Sequence, residues 1–165
     1  MSAKTQTHKQ DPMIGEEAPD FTLDGTNGPV HLAELLGHVV VLYFYPRDNT
    51  PGCTTEACDF RDMIHDFSEV EAIILGVSMD SLPSHAKFTA KYQLPFNLLS
   101  DSEGRVANRY GVYKQKNLYG KVSFGIERST FIIDRKGVIR YVFRKVRVAG
   151  HVSQVKDLVS ELVHG

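Results

Sequence analysis

An unbroken apolar run, Val39-Val40-Val41-Leu42-Tyr43-Phe44-Tyr45, is followed, after four intervening residues, by Thr50-Pro51 and a helical pattern. β-branched and aromatic residues without polar interruption predict a strand buried on both faces. Thr50 is a residue type suited to a helix N-cap, and Pro51 suits the first helical position because its missing N–H has no intrahelical partner to lose. The helix is expected from Pro51 to about Phe67, and Ala72 to Ser78 is expected to be a second buried strand. A strand–helix–strand unit of this kind is right-handed by default and pairs its two strands in parallel. It commits the chain to an α/β fold.

The rest of the chain continues the alternation. Short strands are expected at Phe21–Leu23, Val30–Leu32 and Phe96–Leu99, and helices from Ser81 to about Tyr92 and from Gly104 to Tyr110. Thr130–Ile133 and Val138–Val146 read as a hairpin around Asp134-Arg135-Lys136-Gly137, and Val152–Val163 as a closing amphipathic helix. With 165 residues, 42% hydrophobic and 24% charged, the chain suffices for one three-layer domain. That domain is expected over residues 14–165, after a polar, mobile tail over residues 1–13. The tail has no apolar stretch of the secretory type and no arginine, so neither a signal nor a transit peptide is expected, and the expected location is cytoplasmic. A net charge of −1 gives no field toward nucleic acid or membranes, and Val39–Tyr45 is too short to span a bilayer. The basic run Arg140, Arg144, Lys145, Arg147 is read as the solvated part of a twisted strand.

Both cysteines of the chain lie in the predicted helix, at Cys53 and Cys58. They are too few and too close for a structural disulfide framework. The seven histidines show no ligand spacing to each other or to the cysteines, and read as surface or loosely packed residues. No Gly-rich phosphate loop is present. Cys53, Ala57, Phe60, Ile64 and Phe67 share one face of the helix, so Cys53 falls in its first turn on the core-facing side. Unpaired backbone N–H groups and the helix dipole favour an anion there, and hence a thiolate. The alternative is a small buried cysteine used as a hydrophobe. Cys58 follows after five residues. In an α-helix that separation places the two Cα atoms roughly 8.5 Å apart, beyond the ~7 Å limit for a disulfide. An intact helix therefore cannot hold a Cys53–Cys58 bond. The spacing also rules out a Cys-x-x-Cys motif.

Pro46-x-x-x-Thr50-x-x-Cys53 matches the active-site motif of the peroxiredoxins. The longer text Tyr43-Phe44-Tyr45-Pro46, then Thr50-Pro51-Gly52-Cys53-Thr54-Thr55-Glu56-Ala57-Cys58, resembles the bacterioferritin comigratory protein, or Q-type, branch. The resemblance extends through Gly15-x-x-Ala18-Pro19-x-Phe21, Gly76-Val77-Ser78-x-Asp80-Ser81, Leu98-Leu99-Ser100-Asp101, Gly125-Ile126-x-Arg128-Ser129-Thr130-Phe131 and Lys145-Val146-x-Val148-x-Gly150-His151-Val152. It departs in having no tryptophan; Tyr113 and Phe143 stand where relatives often carry one.

The resemblance implies a thioredoxin-like fold with a central mixed sheet. It implies Cys53 as the peroxidatic cysteine, Thr50 as its hydroxyl partner, Pro46 as a wall against water and Arg128 as the cation beside the thiolate. Cys58 matches the resolving cysteine, and Glu56 is expected to pair with an arginine of the site. The implied activity is reduction of hydrogen peroxide and organic hydroperoxides through a Cys53 sulfenic acid and a Cys53–Cys58 disulfide. Thioredoxin or a similar dithiol protein would recycle it, with no cofactor or metal. The oligomeric state is not fixed by the sequence, and a monomer is the expectation. Two rivals stand beside it: a general disulfide reductase, which the missing Cys-x-x-Cys opposes, and a redox-sensing interaction protein, which would not turn over peroxide.

Overall fold

The computed structural model describes residues 11–164. Its organising strand is β3 (Val40–Phe44), in which all five residues are buried. Alternate side chains of this segment enter two different cores. Val39, Val41, Tyr43 and Tyr45 face a helical layer, whereas Val40, Leu42 and Phe44 face the opposite side. This is why the sequence shows a continuous apolar run and no polar–apolar alternation. Val41, Leu42 and Phe44 have no exposed surface, and each such side chain stabilises the fold by about 1.5–3 kcal/mol.

β3 pairs in parallel with β4 (Ile73–Ser78), and β4 in parallel with β5 (Asn97–Ser100). On its other edge β3 runs antiparallel to β8 (Ser129–Ile133), which is followed by antiparallel β9 (Ile139–Arg144). With β1 (Thr22–Gly25) and β2 (Val30–His31) the mixed sheet has the order β2-β1-β5-β4-β3-β8-β9. One face is covered by α1 (Pro51–Asp62), α2 (Ile64–Glu69), α3 (Leu82–Tyr92) and α5 (His151–His164), through Ala57, Phe60, Phe67, Phe88, Val155 and Val159. The other is covered by α4 (Arg105–Arg109) and by Phe21, Leu32, Tyr110 and Val112. The expected three-layer α/β architecture is therefore present.

Three local expectations are corrected, and one unexpected element is found. The helix after Thr50 is two helices: Met63, at φ −105° and ψ 13°, leaves the helical region, and its N–H bonds to Asp59 and Phe60. The apolar spacing runs on through the break, which is why the sequence reads as one helix. The change of direction keeps Phe67 fully buried beside Phe60, with ring centroids 5.9 Å apart. A second hairpin, β6 (Tyr113–Leu118) and β7 (Lys121–Ile126), stands apart from the main sheet. It turns at Tyr119-Gly120, both with positive φ, and exposes Tyr119, Val122 and Phe124. A tyrosine in the turn and the run of exposed residues from Lys121 to Phe124 hide it from a sequence reading. Arg144 is not solvated: its guanidinium lies 5.4 Å from the Phe131 ring centroid and donates to the carbonyls of Pro12, Tyr110 and Gly111. His85 and His151 are buried and hydrogen-bonded, against the expectation that all seven histidines are surface or loosely packed residues. Of the expected tail, residues 1–10 lie outside the described residues, and Pro12 is already buried against the domain. Among the described residues no helix is long and apolar enough to cross a membrane.

Candidate active site

The site forms where β3 ends. Tyr45 still donates its N–H to Val77, so the chain leaves the sheet only at Pro46. Asn49 takes a positive φ of 61°, a conformation its short polar side chain tolerates better than most. That turn points Thr50 into the start of α1. Thr50 is the N-cap, in extended conformation, with Pro51 at the first helical position. Its hydroxyl makes no capping bond, however; it donates to the Arg47 carbonyl at 2.9 Å. The first α-helical bond runs from the Thr54 N–H to the Thr50 carbonyl. The amides of Gly52 and Cys53 precede that bond and have no partner within the helix.

Cys53 is buried, 2% exposed, in the first turn of α1 and faces the helical-layer core. Arg128 reaches it from the short link between β7 and β8. Its Nη2 lies 3.5 Å from Cys53 Sγ, and its Nη1 donates to Glu56 Oε1 at 2.7 Å. One guanidinium thus spans two successive inward positions of α1. Gly52 makes room for it, since a Cβ there would meet Arg128 Nη2 at 2.9 Å. The register explains the meeting: Phe44 pairs with Ser129, so Arg128 emerges beside the loop that follows β3.

Burial pushes the Glu56 carboxyl up to about 7, against the pull of Arg128. Its second oxygen, Oε2, is buried without a hydrogen-bond partner among the described residues, as is the Tyr43 hydroxyl. Burial, then the nearby Glu56 and Cys53, push the Tyr43 phenol well above its ordinary range. Burial works against the Arg128 charge, but Glu56 and Cys53 beside it hold the guanidinium above its ordinary value. His151, at the start of α5, shares a 2.8 Å hydrogen bond between Nε2 and Thr130 Oγ1. Burial and the Arg128 charge lower it to about 4, so this ring is neutral near pH 7.

The structure brings Cys53, Arg128 and Glu56 into direct contact and places Thr50 three residues before the thiol. Pro46 is exposed at the rim of the loop. Cys58 is partly exposed, both cysteines are free thiols, and α1 is continuous across them. The sequence reading missed Asp48 and His85. Their side chains are 3% and 0% exposed and meet at 2.7 Å behind the loop. No spacing links Asp48 to a histidine in another helix, so no local signal announces the pair.

This arrangement can hold a thiolate next to a fixed cation and unpaired amides, out of bulk water. Residues 14–142 match the AhpC/TSA family. The chain is 49% identical over 150 residues to peroxiredoxin Bcp of Bacillus subtilis, covering 90% of this chain and 96% of that one. It is 38% identical to the chloroplastic peroxiredoxin Q of Triticum aestivum, covering 90% of this chain and 67% of that protein. Among solved structures, the bacterioferritin comigratory protein of Xanthomonas campestris, studied for alkyl peroxide reduction, superposes with a TM-score of 0.83. It shares 42% identity and covers 87% of this chain and 92% of its own. The fold is thus thioredoxin-like, and the chain belongs to the AhpC/TSA family, within its Bcp, or Q-type, peroxiredoxin branch.

Proposed function

We propose that this peroxiredoxin reduces hydrogen peroxide and alkyl hydroperoxides through a Cys53 sulfenic acid and a Cys53–Cys58 disulfide. The observation that carries the reading is the Arg128 guanidinium held between Cys53 Sγ and Glu56 Oε1. The Cys53 thiolate attacks the terminal oxygen of the hydroperoxide. An S–O bond forms, the O–O bond breaks, and the alcohol or water leaves after taking a proton. Arg128 and the Gly52 and Cys53 amides stabilise charge moving along the O–O axis, while the Thr50 hydroxyl, its own proton given to the Arg47 carbonyl, accepts from the hydroperoxide O–H and so orients it. Pro46 limits access of water from the rim. The Cys58 thiol then displaces water from the sulfenic acid. This step requires the first turns of α1 to unwind, for the distance reason given above. A thioredoxin-like dithiol supplies two electrons to restore both thiols. The reaction needs no cofactor, and a cytoplasmic monomer is the form proposed. The alkyl peroxide activity named for the Xanthomonas campestris relative supports the substrate class.

A peroxidase assay coupled to thioredoxin and its reductase, run with hydrogen peroxide and an alkyl hydroperoxide, tests the reading. Turnover is expected for the native chain and none for Cys53→Ser. Mass spectrometry of Cys58→Ser after one equivalent of peroxide should find Cys53 as sulfenic acid. A Cys53 that stays a thiol in that variant removes the assignment. Consumption of one equivalent without turnover would favour the sensor instead.

A further inference from the structure

We propose that Asp48 and His85 form a buried ionic clamp that pins the active-site loop to α3 and β5 and so positions Thr50. The clamp deepens the peroxidase reading and rests on it. The loop is exposed at Pro46, Arg47 and Asn49, yet Asp48 turns inward between them and is buried. Its Oδ1 accepts from the Tyr45 hydroxyl at 2.6 Å. Its Oδ2 accepts from Ser84 Oγ at 2.7 Å and faces His85 Nδ1 at 2.7 Å. The Asp48 N–H donates to Asp80 Oδ2 at 2.8 Å, and Ser78 Oγ donates to that same oxygen at 2.7 Å. One residue of the loop is thereby tied to the end of β3, to α3 and to the segment after β4.

The state of His85 follows from its partners. Nδ1 faces the Asp48 carboxylate, and Nε2 faces the Leu99 carbonyl of β5 at 2.9 Å. One proton lies between Nδ1 and Asp48 Oδ2; in the proposed clamp it sits on the ring, which with Nε2–H then carries a proton on both nitrogens. The pair is thus imidazolium and carboxylate, with its hydrogen-bonding groups satisfied, which a buried charge needs. Asp48, Asp80 and His85 also offer ligand atoms within 4.8 Å of one another. Both Asp48 oxygens and Oδ2 of Asp80 are already engaged by protein donors, so the cluster is assigned protons and no metal.

The link to chemistry is short. The Thr50 hydroxyl donates to the Arg47 carbonyl, so its free lone pairs are aimed by the backbone next to Asp48. Loosening Asp48 should misdirect Thr50 while leaving Cys53 and Arg128, anchored by α1 and β8, in place. Asp48 and His85 are therefore positioning residues.

The test uses the full chain carrying Cys58→Ser, so that only the first step is seen. His85→Gln, Asp48→Asn and the milder Ser84→Ala are compared by stopped flow with hydrogen peroxide and by alkylation of Cys53 with iodoacetamide across pH. Misplacement of a catalytic group by about 1 Å can cost up to ~100-fold. A loss of roughly 10- to 100-fold in peroxide rate is thus expected for His85→Gln and Asp48→Asn. Ser84→Ala should lose only a few-fold, and alkylation should stay within about threefold of the parent, because it does not use Thr50. Nitrogen-15 NMR of the parent should show both His85 ring nitrogens protonated, unchanged by added zinc. Equal losses in both reactions, unchanged peroxide rates, a neutral ring or a zinc-shifted signal would each overturn the clamp. If the first two variants fail to fold, Ser84→Ala and the NMR signals still decide. A Cys58→Ser parent that ignores peroxide would overturn the peroxidase reading instead, and the ring signals would separately report the clamp.

Discussion

The segment from Pro46 to Cys58 carries two buried ion pairs, and they are built differently. Asp48–His85 lies behind the loop with both carboxylate oxygens satisfied. Glu56–Arg128 lies on α1 with one carboxylate oxygen unpaired, and with a carboxyl pushed up to about 7. Burying charge costs several kcal/mol per ion before hydrogen bonds offset it. The fully bonded pair offsets that cost and suits a fixed point. The half-bonded pair does so only in part, so releasing Glu56 costs correspondingly less. The second pair sits on the stretch of helix that must unwind for Cys53 to reach Cys58. The contrast ties incomplete hydrogen bonding to the part of the site proposed to move.

The largest test of that contrast breaks the pair on the helix. Arg128→Ala should slow the reaction of Cys53 with peroxide by about 100- to 1000-fold, the usual cost of losing a stabilising group at developing charge. It should also destabilise the fold by roughly 3–5 kcal/mol, because Glu56 is left buried and alone. Glu56→Leu/Arg128→Met should recover most of that stability and none of the rate. Stopped-flow kinetics and urea melts separate the two effects, and recovery of rate in the double variant would remove Arg128 from the chemistry.

A second test asks which pair stays put. Hydrogen exchange on the oxidised chain should lose protection from Glu56 to Asp62. Exposing Phe60, now fully buried, costs about 1.5–3 kcal/mol, equivalent to roughly 10- to 100-fold in protection. Tyr45 and His85 should keep theirs. Equal protection of α1 in both redox forms would refute unwinding and leave Cys58 to be reached by another route.

Acid and base sharpen the comparison further. Glu56 is raised from 4.5 to about 7, so its contribution to stability is present below about 4.5 and lost as pH rises through about 7. The size is on the order of 3 kcal/mol. His151 is lowered from 6.5 to about 4, so its contribution is present above 6.5 and lost as pH falls through about 4. The two slopes oppose each other over one window. Glu56→Gln should therefore leave a chain that loses stability toward acid more steeply between pH 6.5 and 4.5 than the native one. Parallel melts across that range would show that Glu56 does not titrate as assigned.

The smallest effect belongs to the turn between the pairs. Asn49 already holds a positive φ, so Asn49→Gly should change stability by no more than about 0.5 kcal/mol. Asn49→Val should cost more than 1 kcal/mol, since a β-branched residue is strained there. Thermal melts of both distinguish a backbone requirement from a side-chain one.

The apolar run of β3, the Thr50-Pro51 helix start and the inward face of α1 were legible in the sequence, because each depends on neighbours within a few residues. The fold class and the family resemblance followed from them, and so did the incompatibility of α1 with a Cys53–Cys58 bond, which needs only helix geometry. The capping bond expected of Thr50 was not found, since the Arg47 carbonyl captured its hydroxyl. Periodicity could not show the break at Met63, because the apolar face continues across it. It could not show the β6–β7 hairpin, whose β7 strand is exposed from Lys121 to Phe124 and buried only at Ile126, too little to impose a pattern. Geometry alone could not select Arg128 among the cations; only the family resemblance pointed there. Tertiary structure decided the contact, because Arg128 and Glu56 are 72 residues apart and meet through the pairing of β8 with β3. His85 likewise gained its buried partners only when α3 laid it between Asp48 and the Leu99 carbonyl. Local sequence sets which segments are strands and helices, whereas the partner of a buried charge is set by which strand lies beside which.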